Sequence, residues 1–108
     1  MYKRLTHLLN ESLTWNIAKL PNNTLDLQLK KYLEEVDEFC ESIDIEELGD
    51  VLIAIGGFMR FDSELAYDIL QTFLDDVDTS HLYAAIIAAE NKIPVLYQRD
   101  YSDGYHYK

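Results

Sequence analysis

Apolar residues recur at steps of three and four positions through most of the chain, which is the spacing of amphipathic α-helices. The longest pattern lies in the middle of the sequence and consists of two successive series. The first is Leu29, Tyr32, Leu33, Val36, Phe39, Cys40 and Ile43, and the second is Ile45, Leu48, Val51, Leu52, Ile55, Phe58 and Met59. Asp44 lies between them, where its side chain can cap a helix N-terminus. The pattern predicts two helices joined by a very short turn.

A helix is also predicted before this pair, from residue 3 to residue 19. The turn-forming residues Pro21, Asn22 and Asn23 follow it, and Thr24 can then cap the first helix of the central pair. The apolar stripe of this N-terminal helix consists of Leu5, Leu8, Leu9, Ser12, Leu13, Ile17 and Leu20.

Two more helical segments follow the central pair. The first begins after a break at Asp62 or Ser63, and the segment Asp78-Thr79-Ser80 is interpreted as the cap of the helix after it. That last helix covers residues 81–92, and we expect Pro94 to stop it because proline disfavours helical backbone in the residue before it. The sequence therefore predicts an all-α bundle of four to five helices with the central pair antiparallel.

The central pair carries acidic residues at positions where a simple helical hairpin would not have them. At 100° per residue, Glu47 lies within about 40° of apolar positions 51, 54 and 58. Asp50 follows one turn later, and the segment 51–59 contains no polar side chain, so we expect this helix to be buried nearly all round. Glu35 and Glu38 lie about 60° apart on the partner helix. Four like charges in a low dielectric are costly, and their oxygens suit a hard cation, Mg²⁺ or Mn²⁺.

The same acidic residues resemble the motif of a known family. Glu34-Glu35-Val36-Asp37-Glu38 and Glu47-Leu48-Gly49-Asp50 match E-E-x-x-E followed by E-x-x-D, the motif of the MazG-like all-α nucleoside triphosphate pyrophosphohydrolases. Trp15, Pro21 and Leu25 are similar to the family's upstream region, and the segment from 99 to 105 is similar to the ending of several members. The chain departs from the family in the short spacing between Glu38 and Glu47 and in an additional or displaced helix at 62–78.

The resemblance implies Mg²⁺-dependent hydrolysis of a nucleoside triphosphate to the monophosphate and pyrophosphate. It implies metal ligands at Glu35, Glu38, Glu47 and Asp50, with Glu38 as the first candidate for the general base and Glu35 as the second. The predicted substrate-binding residues are Trp15, Lys31, Lys92, Arg99 and Tyr101. Trp15 has two interpretations, core packing or a wall of the base pocket. The segment 95–108 is either a loosely ordered tail or a contributor of triphosphate contacts.

The composition of the chain argues against several other classes of function. The 108 residues are enough for one domain, 1–108, and the net charge of −11 disfavours nucleic-acid binding, which needs clustered cations. No apolar run is long enough to span a membrane and the N-terminus lacks a signal-peptide core, so we expect a cytoplasmic protein without membrane partners. The single cysteine, Cys40, cannot form an internal disulfide and is interpreted as a small core residue.

Two non-enzymatic hypotheses remain open at this point. The negative charge also suits an acidic protein that mimics DNA, and the amphipathic helices suit a helical adaptor whose acids are solvated. We also expect a homodimer or homotetramer, because a helix that is apolar on nearly every side needs more cover than one short chain supplies.

Overall fold

The computed structural model describes residues 2–101 and contains five α-helices and no strand in that range. The all-α fold with four to five helices is therefore confirmed. The elements are α1 (Tyr2–Lys19), α2 (Leu25–Ser42), α3 (Ile45–Phe58), α4 (Ser63–Asp76) and α5 (Thr79–Tyr97). Within this range no helix combines the length and the apolar character that crossing a lipid bilayer requires.

The helix α3 is the centre of the bundle, and the other four helices pack around it. Its residues from Val51 to Phe58 are all buried, and Leu52 and Phe58 have no exposed surface. The prediction of a helix buried nearly all round is confirmed. Two glycines allow the close approach of its neighbours, because a Cβ at Gly56 would lie 2.7 Å from the Cβ of Ser12 and one at Gly57 would overlap the Gln28 amide.

The predicted N-caps are also confirmed. The side chain of Thr24 accepts a hydrogen bond from the Leu27 N–H, and Asp44 caps α3 through the Glu46 N–H. Asp78, within the predicted capping segment, does the same for α5, and Asp62, at the predicted break, caps α4. A cap satisfies a backbone donor that the helix leaves unpaired, so these helix starts are determined by local chemistry.

The turn between α2 and α3 is as short as the sequence predicts, since only Ile43 and Asp44 lie between the two helices. Ile43 adopts left-handed backbone angles (φ 50°, ψ 50°), and its N–H donates to the Phe39 carbonyl at 2.7 Å. A β-branched residue in this region costs about 1–2 kcal/mol. The turn is two residues long, so the glutamates of α3 follow those of α2 within a few positions of sequence.

The sequence-based orientation of α2 is wrong in part. Three polar residues, Gln28, Lys31 and Glu35, are buried on this helix, whereas Leu29 and Leu33 are 41% and 52% exposed. Cys40 is exposed too, so its interpretation as a core residue is incorrect. Tyr32, Val36 and Phe39 pack against the core as expected, and Ile43 is 76% exposed. The polar side of α2 is buried in place of these leucines because Gln28 donates to the Ala54 carbonyl of α3 and Lys31 pairs with Glu35 on α2 itself.

Two smaller expectations are also corrected. Ile17 is 52% exposed, and the neighbouring Asn16 is buried instead, because its amide donates to Gln28 Oε1 at 3.1 Å. The last helix does not stop before Pro94 but continues to Tyr97. Ile93 and Leu96, on either side of the proline, are buried in the core. Pro94 lacks a backbone N–H and therefore removes one intrahelical hydrogen bond, which the burial of these neighbours offsets.

Candidate active site

One pocket of about 220 Å³ lies between α2, α3 and α5 and reaches Trp15 of α1. Its lining includes every residue that the sequence analysis selected. These are Glu35, Glu38, Glu47, Asp50, Trp15, Lys31, Lys92, Arg99 and Tyr101. The part of the family-like ending from 102 to 105 lies outside the described residues.

The acidic wall of the pocket is formed by α2 and α3. Carboxylate oxygens of Glu35, Glu47 and Asp50 all lie within 4.8 Å of one another, a separation that a single cation could bridge. Glu38 lines the same pocket and lies close enough to hydrogen bond with a protonated Glu47. These pairs meet because residues three or four apart share a helix face and the short turn places the two faces side by side.

Two lysines neutralise part of this charge. Lys31 lies one turn before Glu35 on α2, and its Nζ is 2.9 Å from Glu35 Oε1, with both side chains buried. Lys92 from α5 approaches the opposite side, with its Nζ 3.3 Å from Asp50 Oδ1. Neither lysine pairs with the acidic residue between them, Glu47.

Glu47 has the least favourable electrostatic environment described for the acids of the pocket. It has no ion pair within residues 2–101, and its Oε2 is buried without a hydrogen-bond partner there. Burial raises the pKa of Glu47 above its usual value of 4.5, and the Glu38 carboxyl and the charges of Asp50 and Glu35 raise it further. A buried carboxylate that lacks compensation favours the uptake of a proton or a cation.

Aromatic and apolar groups close the other side. Trp15 is 1% exposed, and its ring meets that of Tyr101 edge to face with centroids 5.7 Å apart. The Tyr101 hydroxyl donates to the Leu96 carbonyl at 3.1 Å, and burial raises the pKa of this phenol although Arg99 opposes the rise. Trp15 is therefore a core residue, as one of its two interpretations predicts, and it also lines the pocket.

Sequence reasoning missed the apolar part of the lining and the groups that support it. Ile53, Ala54 and Leu96 complete the pocket wall. Behind them, Gln28 Nε2 donates to the Ala54 carbonyl at 2.7 Å and so ties α2 to α3. The sequence did contain a signal, because Gln28 lies one turn before Lys31 and continues the Lys31–Glu35 face of α2. The leucine periodicity on another face was stronger and determined the prediction.

No family model, curated protein or solved structure matches this chain.

Proposed function

We propose that this protein is a Mg²⁺-dependent nucleoside triphosphate pyrophosphohydrolase of the MazG-like type, converting a (d)NTP and water to the (d)NMP and pyrophosphate. In this proposal α2 and α3 form the antiparallel acidic helix pair of that family. The observation that carries it is Glu47, a carboxylate without a cation partner in residues 2–101 that faces three further acids in one pocket. A cytoplasmic location remains a prediction that follows from this substrate.

The donor set fits a hard divalent cation. Carboxylate oxygens are the ligands that Mg²⁺ and Mn²⁺ prefer, and oxygens from three residues within 4.8 Å of one another can share one ion. The buried Oε2 of Glu47 supplies an acceptor that no described residue uses. Glu35, Glu47 and Asp50 would hold the metal with Glu38 beside them. When bound, the ion would neutralise phosphate charge and lower the pKa of a water molecule.

The other pocket residues have roles that follow from their charge and position. Lys92 and Arg99 face the acidic wall from the C-terminal part of the chain and would bind phosphate oxygens. Glu38 is the better candidate for the general base because Glu35 is 4% exposed and already bonded to the Lys31 ammonium. Glu38 is only partly buried and can accept a proton from an attacking water.

The hypotheses of a DNA mimic and of a helical adaptor receive less support from this geometry. Both need acids on the surface, whereas Glu35 is buried and Glu47 is turned towards the pocket. The net charge of −11 remains compatible with either of them. No described feature favours them over the enzyme.

A screen of the common NTPs and dNTPs with Mg²⁺, scored for pyrophosphate release, tests the proposal. Glu38→Gln and Asp50→Asn should each lower turnover by at least about 100-fold, the scale of losing a charge stabiliser or a metal ligand. Glu41→Gln is the matched control, since Glu41 lies on the same helix but is exposed and outside the pocket. Release of orthophosphate and a diphosphate would reject the reaction class, and equal losses in all three variants would reject the site.

We further propose a homodimer or homotetramer, but on a different ground from that offered by the sequence. The chain itself covers α3, so α3 does not require a partner. The apolar surface that remains is on α2, where Leu25, Leu29 and Leu33 are 38%, 41% and 52% exposed at four-residue steps. Such a stripe favours packing against a second helix.

A further inference from the structure

A second cavity adjoins the acidic pocket and has no role in the function proposed so far. It has a volume of about 500 Å³ and lies between the end of α1, the α1–α2 turn and residues 99–101. We call it the turn cavity. Arg99 and Tyr101 line both spaces, so these two side chains form the boundary between them.

The sizes of the two spaces indicate that one ligand extends across both. Sites for small molecules in proteins occupy about 300–1,000 Å³, and the acidic pocket at about 220 Å³ falls below that range. Seven of its twelve lining residues have acidic or basic side chains, which suit phosphates and a cation. The turn cavity has the volume for the remainder of a nucleotide.

The lining of the turn cavity differs in chemistry from that of the acidic pocket. Ala18, Leu20 and Pro21 give it an apolar wall. The Asn22 side chain makes no hydrogen bond within residues 2–101, and a carboxamide offers both the donors and the acceptor that the edge of a nucleobase requires. Apolar walls with a few placed polar groups are typical of ligand sites.

The turn cavity is also held in place by hydrogen bonds, two of which are partly buried. The amide of Asn23 donates to Gln28 Oε1 at 2.8 Å, and Arg60 Nη1 donates to the Leu20 carbonyl at 2.7 Å. Arg60 Nη2 reaches the Pro21 carbonyl at 3.2 Å. The turn is thus fixed to α2 and to the end of α3, so that little conformational entropy is lost when a ligand binds there.

We infer that the turn cavity binds the nucleoside moiety of the substrate, with the triphosphate passing Arg99 into the acidic pocket. This inference rests on the proposed function. It places the base beside Asn22 and leaves Trp15 at the phosphate end. The amide of Asn22 reads the base edge, while Arg99 contacts the phosphate nearest the sugar.

The test compares a ligand that needs both spaces with one that needs only the acidic pocket. The probes are the α,β-methylene analogues of ATP, GTP, CTP and UTP, which resist cleavage, and inorganic tripolyphosphate, each titrated with Mg²⁺ by calorimetry. Ala18→Phe and Asn22→Phe place a ring in the turn cavity from two exposed positions, so either can stand alone if the other fails to fold. Gln71→Phe, exposed on α4 and outside the cavity, is the control.

For the analogue that the wild type binds best, we expect both cavity variants to weaken affinity at least about tenfold while tripolyphosphate affinity stays within about twofold. The control should change neither. Equal losses for both probes, or no loss for the analogue, would overturn the inference while leaving the proposed function intact. Failure of the wild type to bind either probe with Mg²⁺ would reject the proposed function and this inference with it.

Discussion

Replacing Glu47 by glutamine tests the electrostatics of the acidic pocket most directly. The change keeps the shape of the side chain and removes a pocket carboxylate that makes no ion pair with Lys31 or Lys92. We expect opposite effects in the absence and presence of metal. Without metal the variant should be more stable than the wild type, and with Mg²⁺ it should gain little, because a ligand has been lost.

The magnitude follows from the distances. The carboxylate oxygens lie within 4.8 Å of one another, and at that upper limit two unit charges repel by about 3.5 kcal/mol at an effective dielectric constant of about 20. Lys31 and Lys92 offset part of this repulsion, and protonation of Glu47 relieves more, so we expect a gain of about 1 kcal/mol in the free energy of unfolding of the metal-free variant. For a domain of this size that corresponds to a rise in Tm of about 4–8 °C.

The metal response has a similar scale. At ten times its dissociation constant, Mg²⁺ stabilises the folded wild type by about 1.4 kcal/mol, or about 6–11 °C in Tm. Thermal melts in EDTA and in a Mg²⁺ series measure both effects. Glu46→Gln is the matched control, since Glu46 is the preceding residue on α3 and is exposed, so it should leave the metal response unchanged.

The pH dependence provides a second readout. Because the folded-state pKa of Glu47 is raised above its usual value of 4.5, its contribution to stability is fully present below about pH 4.5 and is lost as the pH rises through the folded-state value. In EDTA the wild type should therefore lose stability with rising pH over this window more steeply than Glu47→Gln. A metal-free variant less stable than the wild type, with its Mg²⁺ response intact, would refute the placement of Glu47.

Three further predictions concern the framework and the assembly. Gly57→Ala should lower the free energy of unfolding by about 1–3 kcal/mol in chemical denaturation, because the new methyl group displaces the buried Gln28 amide; unchanged stability would contradict this packing. Ile43→Gly should be neutral or stabilising by up to about 1 kcal/mol in the same assay, because glycine relieves the left-handed strain at a small entropic cost; a clear destabilisation would show that the turn is not strained. Light scattering at micromolar concentration should show at least a dimer, which the double substitution Leu29→Glu and Leu33→Glu converts to monomer, and a monomeric wild type would disprove the proposed assembly.

The helices themselves follow from local patterns in the sequence. Four of the five helix starts depend on one side chain each, Thr24 or an aspartate, that caps the helix, and such capping involves only residues two or three positions apart. The burial of α3 also follows from its sequence, because a helix without polar side chains over two turns has no face to present to water.

Local sequence patterns did not predict which side of α2 is buried. Its sequence carries an apolar stripe through Leu29 and Leu33 and a polar stripe through Gln28, Lys31 and Glu35, and periodicity alone favours burial of the leucines. The opposite occurs because Gln28 finds the Ala54 carbonyl and Lys31 finds Glu35, so the polar face is compensated when buried. The Lys31–Glu35 pair lies within α2, but the partner of Gln28 is provided by α3 and is not visible in the sequence of α2.

For the candidate site, the sequence by itself determined which acids share a helix face, because spacings of three and four residues and a two-residue turn bring Glu35, Glu38, Glu47 and Asp50 to one side of the α2–α3 pair. Only the tertiary structure decided that Lys92 neutralises Asp50 while Glu47 is left without a cation partner in residues 2–101, and that a second cavity opens beside Arg99. Both depend on how α5 and the α1–α2 turn pack against that pair. The Lys92–Asp50 contact joins residues 42 positions apart, and packing between such distant segments cannot be inferred from local sequence patterns.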